Sequence, residues 1–137
     1  MSTIITAADG ERVSKQILYE NDEVLGVLIT DITDIRGKIF ASRTRESFAQ
    51  QFGVFQDRDR EYSATLAVAM LTLSNELKHI FQETQAIITL HKHCKTILIP
   101  VASHGILVGL VTRRSAHAED FKIADNIEGL FQSGFCP

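Results

Sequence analysis

The 137-residue sequence predicts an α+β sandwich: a five-stranded antiparallel sheet in the order 2-1-5-4-3, one long helix on one face and terminal helices on the other. Three observations lead there. Strand-like and helix-like stretches alternate as helix, two strands, helix, three strands, helix. Two of the strands, Val24 to Asp31 and Ile106 to Thr112, are apolar at nearly every position, as strands covered on both faces are. They therefore belong side by side in the middle, which fixes the order. Finally, Asp57 to Gln82 reads as one long helix with apolar residues on two sides.

Taken in order, Thr6 to Glu20 has the pattern of a short helix. Thr6 stands at the cap with Asp9 at the reciprocal position, and Val13 and Ile17 form a narrow apolar stripe. Asn21-Asp22-Glu23 supplies turn residues. Val24 to Asp31 (VLGVLITD) is the first strand, and Gly26 within it implies a close approach by a crossing helix. Thr33 to Gly37 forms a turn, with Gly37 free to take positive φ, and Lys38 to Ser42 returns as the second strand of a hairpin. Arg43 to Gln56 is the least regular part. It carries Phe48, Phe52 and Phe55, too many aromatics for a solvated loop, and contains a short helix, Glu46 to Gln51.

The long helix follows, with Asp57 and Asp59 placed favourably for its dipole. On a helical wheel Tyr62, Leu66, Met70, Leu73, Leu77, Ile80 and Phe81 fall within about one third of the circumference. That stripe is expected to face the core. Ala64, Ala67, Val68 and Leu71 lie opposite and are expected to meet a second partner, most simply the same helix of another copy. The alternative is that the Phe48 to Phe55 segment covers them. Gln85 to Leu90, Lys95 to Val101 and Ile106 to Thr112 form a meander, with Pro100 near a strand end and Ser103-His104-Gly105 as a tight turn. Ser115 to Phe131 closes the chain as a helix with Phe121, Ala124, Ile127 and Phe131 on one side, and Gly134 and Pro137 mark its end.

Composition narrows the function classes. The chain is 45% apolar and 23% charged with a net charge of −3, which suits a soluble globular domain and offers no basic field for nucleic acid. No internal repeat or linker divides it, so residues 1–137 are expected to form one domain with its core at about 17–131. There is no signal segment and no apolar run long enough for a membrane, so a reducing cytoplasm is expected.

No catalytic set emerges. There is no Gly-x-Ser-x-Gly elbow and no glycine-rich loop ending in Lys-Ser or Lys-Thr, so neither nucleophilic catalysis nor phosphate binding finds support. His91 and His93 would share one side of a continuing strand, a spacing that can chelate zinc or copper, but a closed site needs further ligands and a polar hairpin tip accounts for both. No cofactor is expected. Cys136 reads as a free thiol, and His79, His104 and His117 as surface or turn residues. Arg43, Arg45, Arg58 and Arg60 interleave with Glu46, Asp57 and Asp59. Such a run is either a self-compensating surface or a charged rim for a protein partner.

From Ile17 to Phe131 the chain resembles the Roadblock family, the dynein light chain relatives of the profilin-like superfamily. The resemblance rests on Leu25-Gly26-Val27, on Asp31 with Gly37-Lys38-Ile39, on the Ala- and Leu-rich helix Ala64 to Leu77, on Ile97-Leu98-Ile99-Pro100 and on Gly105-Ile106-Leu107. It implies a non-enzymatic homodimer that binds or regulates small Ras-like GTPases or joins a larger assembly. In that family the long helices pack antiparallel and the third-strand edges, here with Ile87 and Thr89, join into one sheet. The chain departs from the pattern at Arg43 to Gln56, since the family usually passes quickly from second strand to long helix. A PAS- or GAF-like sensor that lines a ligand pocket with Phe48, Phe52 and Phe55 is the competing reading.

Overall fold

The computed structural model describes residues 5–33, 37–116 and 126–131. Helix α1 (Ala7–Glu20) leads into strands β1 (Val24–Asp31) and β2 (Lys38–Thr44). Helices α2 (Glu46–Phe52), α3 (Asp57–Asn75) and α4 (Lys78–Phe81) follow, then β3 (Ile87–Leu90), β4 (Cys94–Val101) and β5 (Ile106–Arg113). The strands form one sheet in the order β2-β1-β5-β4-β3, antiparallel throughout, as the sequence predicts.

Several local expectations hold at atomic detail. Thr6 caps α1, its hydroxyl accepting from the Asp9 N–H at 3.2 Å while the Asp9 carboxylate accepts from the Thr6 N–H at 3.0 Å. Pro100 pairs with Leu107 on one side, and on the other side β3 has already ended at Ile87 opposite Leu98, so the missing N–H interrupts no ladder there. The close approach expected at Gly26 comes from Thr44 and the Phe48 ring of α2.

Two cores of unequal size flank the sheet. On one face Val13 and Ile17 of α1, with Ile127 and Phe131 of the helical residues 126–131, close over Val27, Ile29, Ile97, Ile99, Val108 and Leu110. Each such side chain, taken fully out of water, contributes about 1.5–3 kcal/mol. On the other face α3 sets Ala67 and Leu71 against Leu98 and Leu107, with Ile87 at the rim. The sequence predicts the closing helix from Ser115. Ser115 instead lies in a turn and Ala116 is not helical, while Phe121, Ala124, Gly134 and Pro137 lie outside the described residues.

Two corrections concern the long helix. It does not run from Asp57 to Gln82 but stops at Asn75, turns through Glu76 and Leu77, and resumes as the single turn of α4. A polar staple holds the break: the Ser74 and Thr84 hydroxyls lie 2.5 Å apart and the Asn75 side chain accepts from the Thr84 N–H at 3.4 Å. Gln82 then reverses the chain at φ 66°.

The larger correction is which side faces inward. Ala64, Ala67, Val68 and Leu71, expected at a partner copy, are the residues buried against the chain's own sheet. Tyr62, Leu66, Leu73, Leu77, Ile80 and Phe81, expected in the core, face solvent. The reason is distance. At Gly37, φ 73°, a Cβ would lie 2.9 Å from the Ala64 carbonyl oxygen, so backbone meets backbone there and the side of α3 that carries Ala64 is the one turned to the sheet.

Two outcomes follow for stability. Gly37→Ala is expected to cost about 2–4 kcal/mol in urea denaturation, combining a left-handed backbone with overlap on Ala64. Gly129→Ala, whose added Cβ meets nothing within 4 Å on the helical stretch 126–131, is expected to stabilise by about 0.5–1 kcal/mol. The Thr6 backbone N–H holds the Asp9 carboxyl below its ordinary value against a smaller opposing effect of burial, with the Thr6 hydroxyl, Arg12 and His104 assisting. A lowered folded pKa gives stability that is present above the unfolded value and is lost as pH falls through the folded one. The stability difference between the native chain and Asp9→Asn is therefore expected to be full at neutral pH and to vanish in acid.

Candidate functional site

The outward side of α3 and the short turn after it carry large apolar residues that the described residues leave uncovered. Tyr62 is 63% exposed, Leu66 61% and Leu73 70% on α3, and Leu77, Ile80 and Phe81 are exposed beyond its end. They stand on the side of α3 opposite Ala64, Ala67, Val68 and Leu71, which are buried. A stripe of this length on the surface of a single chain marks a surface for contact.

The free edge of β3 lies at the end of the sheet. Ile87 and Thr89 point toward the α3 side and are half-buried, while Ile88 and Leu90 point to the opposite face and are exposed. Among the described residues β3 pairs only with β4, so no described strand lies beside its outer N–H and C=O groups.

The arginines of the 43–60 stretch are held by their own chain and do not form a free docking rim. Arg45 donates to the Val24 carbonyl at 2.7 Å, to the Asn21 carbonyl at 2.8 Å and to the Leu18 carbonyl. It thereby ties the end of α1 and the start of β1 to the start of α2. Arg43 pairs with Glu11 at 3.1 Å, Arg60 with Asp57 at 2.7 Å, and Arg58 lies over the Tyr62 ring with its guanidinium carbon 5.3 Å from the ring centroid. Sequence reasoning missed Arg45 because the carbonyls it serves are gathered only by the fold.

The histidines gather no chemistry. His91 and His93 lie in the β3–β4 turn, not on a continuing strand, so the alternation that would pair them stops at Leu90. Burial pushes the thiol of neighbouring Cys94 up, which disfavours the thiolate a metal needs. Among the described residues no three His, Cys, Asp or Glu side chains group to hold a metal ion. His79 is exposed on α4. His104 sits in a turn as expected, but its ring nitrogens are buried and its ring lies 5.9 Å from that of Phe131. Ser103 donates to Glu128 at 2.6 Å and makes no catalytic pair with its neighbour. His117 and Cys136 lie outside the described residues.

Phe48, Phe52 and Phe55 form one aromatic group, with the Phe48 ring 5.1 Å from Phe52 and 5.7 Å from Phe55. Phe48 and Phe55 roof a cavity over the sheet, whereas Phe52 lines only an outer groove. No helix among the described residues is long and apolar enough to cross a membrane.

No family model and no curated protein matches the sequence. Solved structures match the fold. The Roadblock/LC7 domain from Streptomyces avermitilis superposes with a TM-score of 0.65 at 10% identity, covering 88% of this chain and 90% of that one. The gliding protein MglB from Thermus thermophilus does so at 0.66 and 15% identity, covering 96% and 97%. MglB of Myxococcus xanthus gives 0.65 at 11% identity over 98% of both chains. A further MglB structure, described as having a tetrameric arrangement, gives 0.67 at 15% identity over 98% of both. With an unbroken order of β2-β1-β5-β4-β3 and near-complete overlap of both chains, this protein has the Roadblock/LC7 fold.

Proposed function

We propose that the protein is a non-enzymatic homodimeric scaffold in the cytoplasm that binds and regulates a small Ras-like GTPase or a larger protein assembly. The observation that carries the dimer is the exposed stripe from Tyr62 to Phe81 on α3 and α4. Left in water, each Leu of the stripe forgoes about 1.5–3 kcal/mol of burial. A second copy laid antiparallel on that side covers both stripes at once, because a two-fold contact uses the same patch twice. The free β3 edge, with Ile87 and Thr89 on the helix side, continues the same contact as a joined sheet. An MglB structure with a tetrameric arrangement supports self-association through this fold. The GTPase is proposed from the Roadblock resemblance, which implies it as partner. No individual GTPase-contacting residue is assigned.

The dimer is expected at micromolar concentration in sedimentation equilibrium. Leu66→Asp and Leu73→Asp should each leave the protein folded and weaken the dimer by at least one to two powers of ten in Kd, the equivalent of about 1.5–3 kcal/mol. Val68→Asp should instead unfold the chain, since it buries an unpaired carboxylate between α3 and the sheet. A folded, monomeric native protein, or a Leu73→Asp variant that dimerises as tightly as the native one, would defeat the assignment. Affinity capture from native extract with the native dimer is expected to retain a Ras-like GTPase. Capture that retains other proteins but no GTPase would remove that partner.

A further inference from the structure

The space beneath Phe48 and Phe55 shares no lining residue with the proposed dimer stripe; the groove outside it meets that stripe only at Tyr62. Between the sheet and the first half of α3 lies a cavity of about 160 Å³. Two glycines open its floor: Gly26 on β1 and Gly109 on β5 leave the sheet bare where large side chains would ordinarily stand. Leu98 and Leu107 flank the opening in the floor. Above it α3 presents only Ser63 and Ala67, too short to fill the gap.

The chemistry of the walls selects the occupant. The lining is hydrocarbon and aromatic with a few hydroxyls, among them Thr44 and Thr96, and no charged side chain belongs to it. An ion entering would lose its hydration without a partner. An apolar cavity of about 150 Å³ is large enough for benzene and stays free of water. The space also has a way in. Phe48, Phe55, Ser63, Thr96 and Val111 line both the cavity and the outer groove that runs between α3 and the β3–β4 turn.

We propose that this cavity is a binding site for an uncharged, mainly apolar molecule of single-ring size, entering past Phe55 from the groove. The site serves a function additional to the scaffold role and does not depend on it. A ring fits beneath Phe48 and Phe55, over the floor between Gly26 and Gly109 and beside the packed Ala67, Leu98 and Leu107, and one hydroxyl on the ring can bond a wall hydroxyl.

The test uses the full chain with toluene, p-cresol and, as a charged counterpart, benzoate. Toluene and p-cresol are expected to raise the melting temperature with increasing concentration, as a ligand specific to the folded state does, and benzoate to leave it unchanged. Gly109→Ala adds a methyl at ordinary contact distance, 3.4 Å from a Leu98 methyl, and Ser63→Leu fills from the opposite wall. Each is expected to weaken toluene binding at least tenfold. Native protein that toluene does not stabilise, equal binding of benzoate, or filled variants that keep native affinity would overturn the proposal. Should either variant fail to fold, xenon pressure on the native protein decides. Shifts confined to the methyl resonances around the cavity, Leu98 and Leu107 first, are expected, and unmoved resonances there refute it.

Discussion

The distance between α3 and the sheet governs the rest of this molecule. At its near end the contact is backbone on backbone: Gly37 lies under Ala64, and a single added carbon would sit 2.9 Å from a carbonyl oxygen. Nothing larger than alanine fits at that point. Once Ala64 is fixed there, helical spacing brings Ala67 and Leu71 down onto Leu98 and Leu107 and buries Val68 beside them in the helix. The same spacing turns Tyr62, Leu66 and Leu73 outward. The exposed stripe is thus a consequence of close packing on the opposite side. A helix that approaches its sheet this closely at one point turns the side bearing its alanines inward, and the large residues opposite them are left exposed.

This constraint explains what could be read in the sequence and what could not. Sheet order was legible because Val24 to Asp31 and Ile106 to Thr112 are apolar on both faces, which only central strands tolerate. The Thr6–Asp9 cap was legible because it is a local pairing at fixed spacing. The two-sidedness of α3 was legible as well, but its orientation was not. Periodicity records where apolar residues lie and carries no information on how near the sheet comes. Hydrophobic weight favoured Leu66 and Leu73 for the core, while the geometry at Gly37 favoured Ala64 and Ala67. The end of α3 was hidden for a related reason. Leu77, Ile80 and Phe81 continue the helical pattern past Asn75, and the break depends on Thr84 returning to Ser74 and Asn75.

Arg45 shows the same limit from the polar side. Its guanidinium serves carbonyls of Leu18, Val24 and Asn21, which belong to a helix end, a strand start and the turn between them. In the sequence it is one of several alternating charges. In the fold it neutralises acceptors that α1 would otherwise leave open at its C-terminus. Arg43 and Arg60 are paired within the chain too. The segment from Arg43 to Gln56 is therefore anchored at its start by this clamp and gathered along its length by the Phe48, Phe52 and Phe55 rings.

That anchored segment also determines where close packing stops. Contact is close where Gly37 meets Ala64, and beside it the space over Gly26 and Gly109 stays open because the sheet contributes no side chains at those two positions. Interiors are ordinarily filled to crystal-like density, and an apolar void forfeits dispersion contacts on every wall that faces it. The residues that could close this one are small from both directions: glycines below, Ser63 and Ala67 above. Phe48 and Phe55 cover the space without entering it. A larger residue at Ser63 would take up part of the void, and Gly109→Ala would narrow it by one methyl in ordinary contact with Leu98. A chain that packs backbone against backbone at Ala64 and, one residue away, keeps Ser63 over Gly26 and Gly109 has room for a molecule that is not its own.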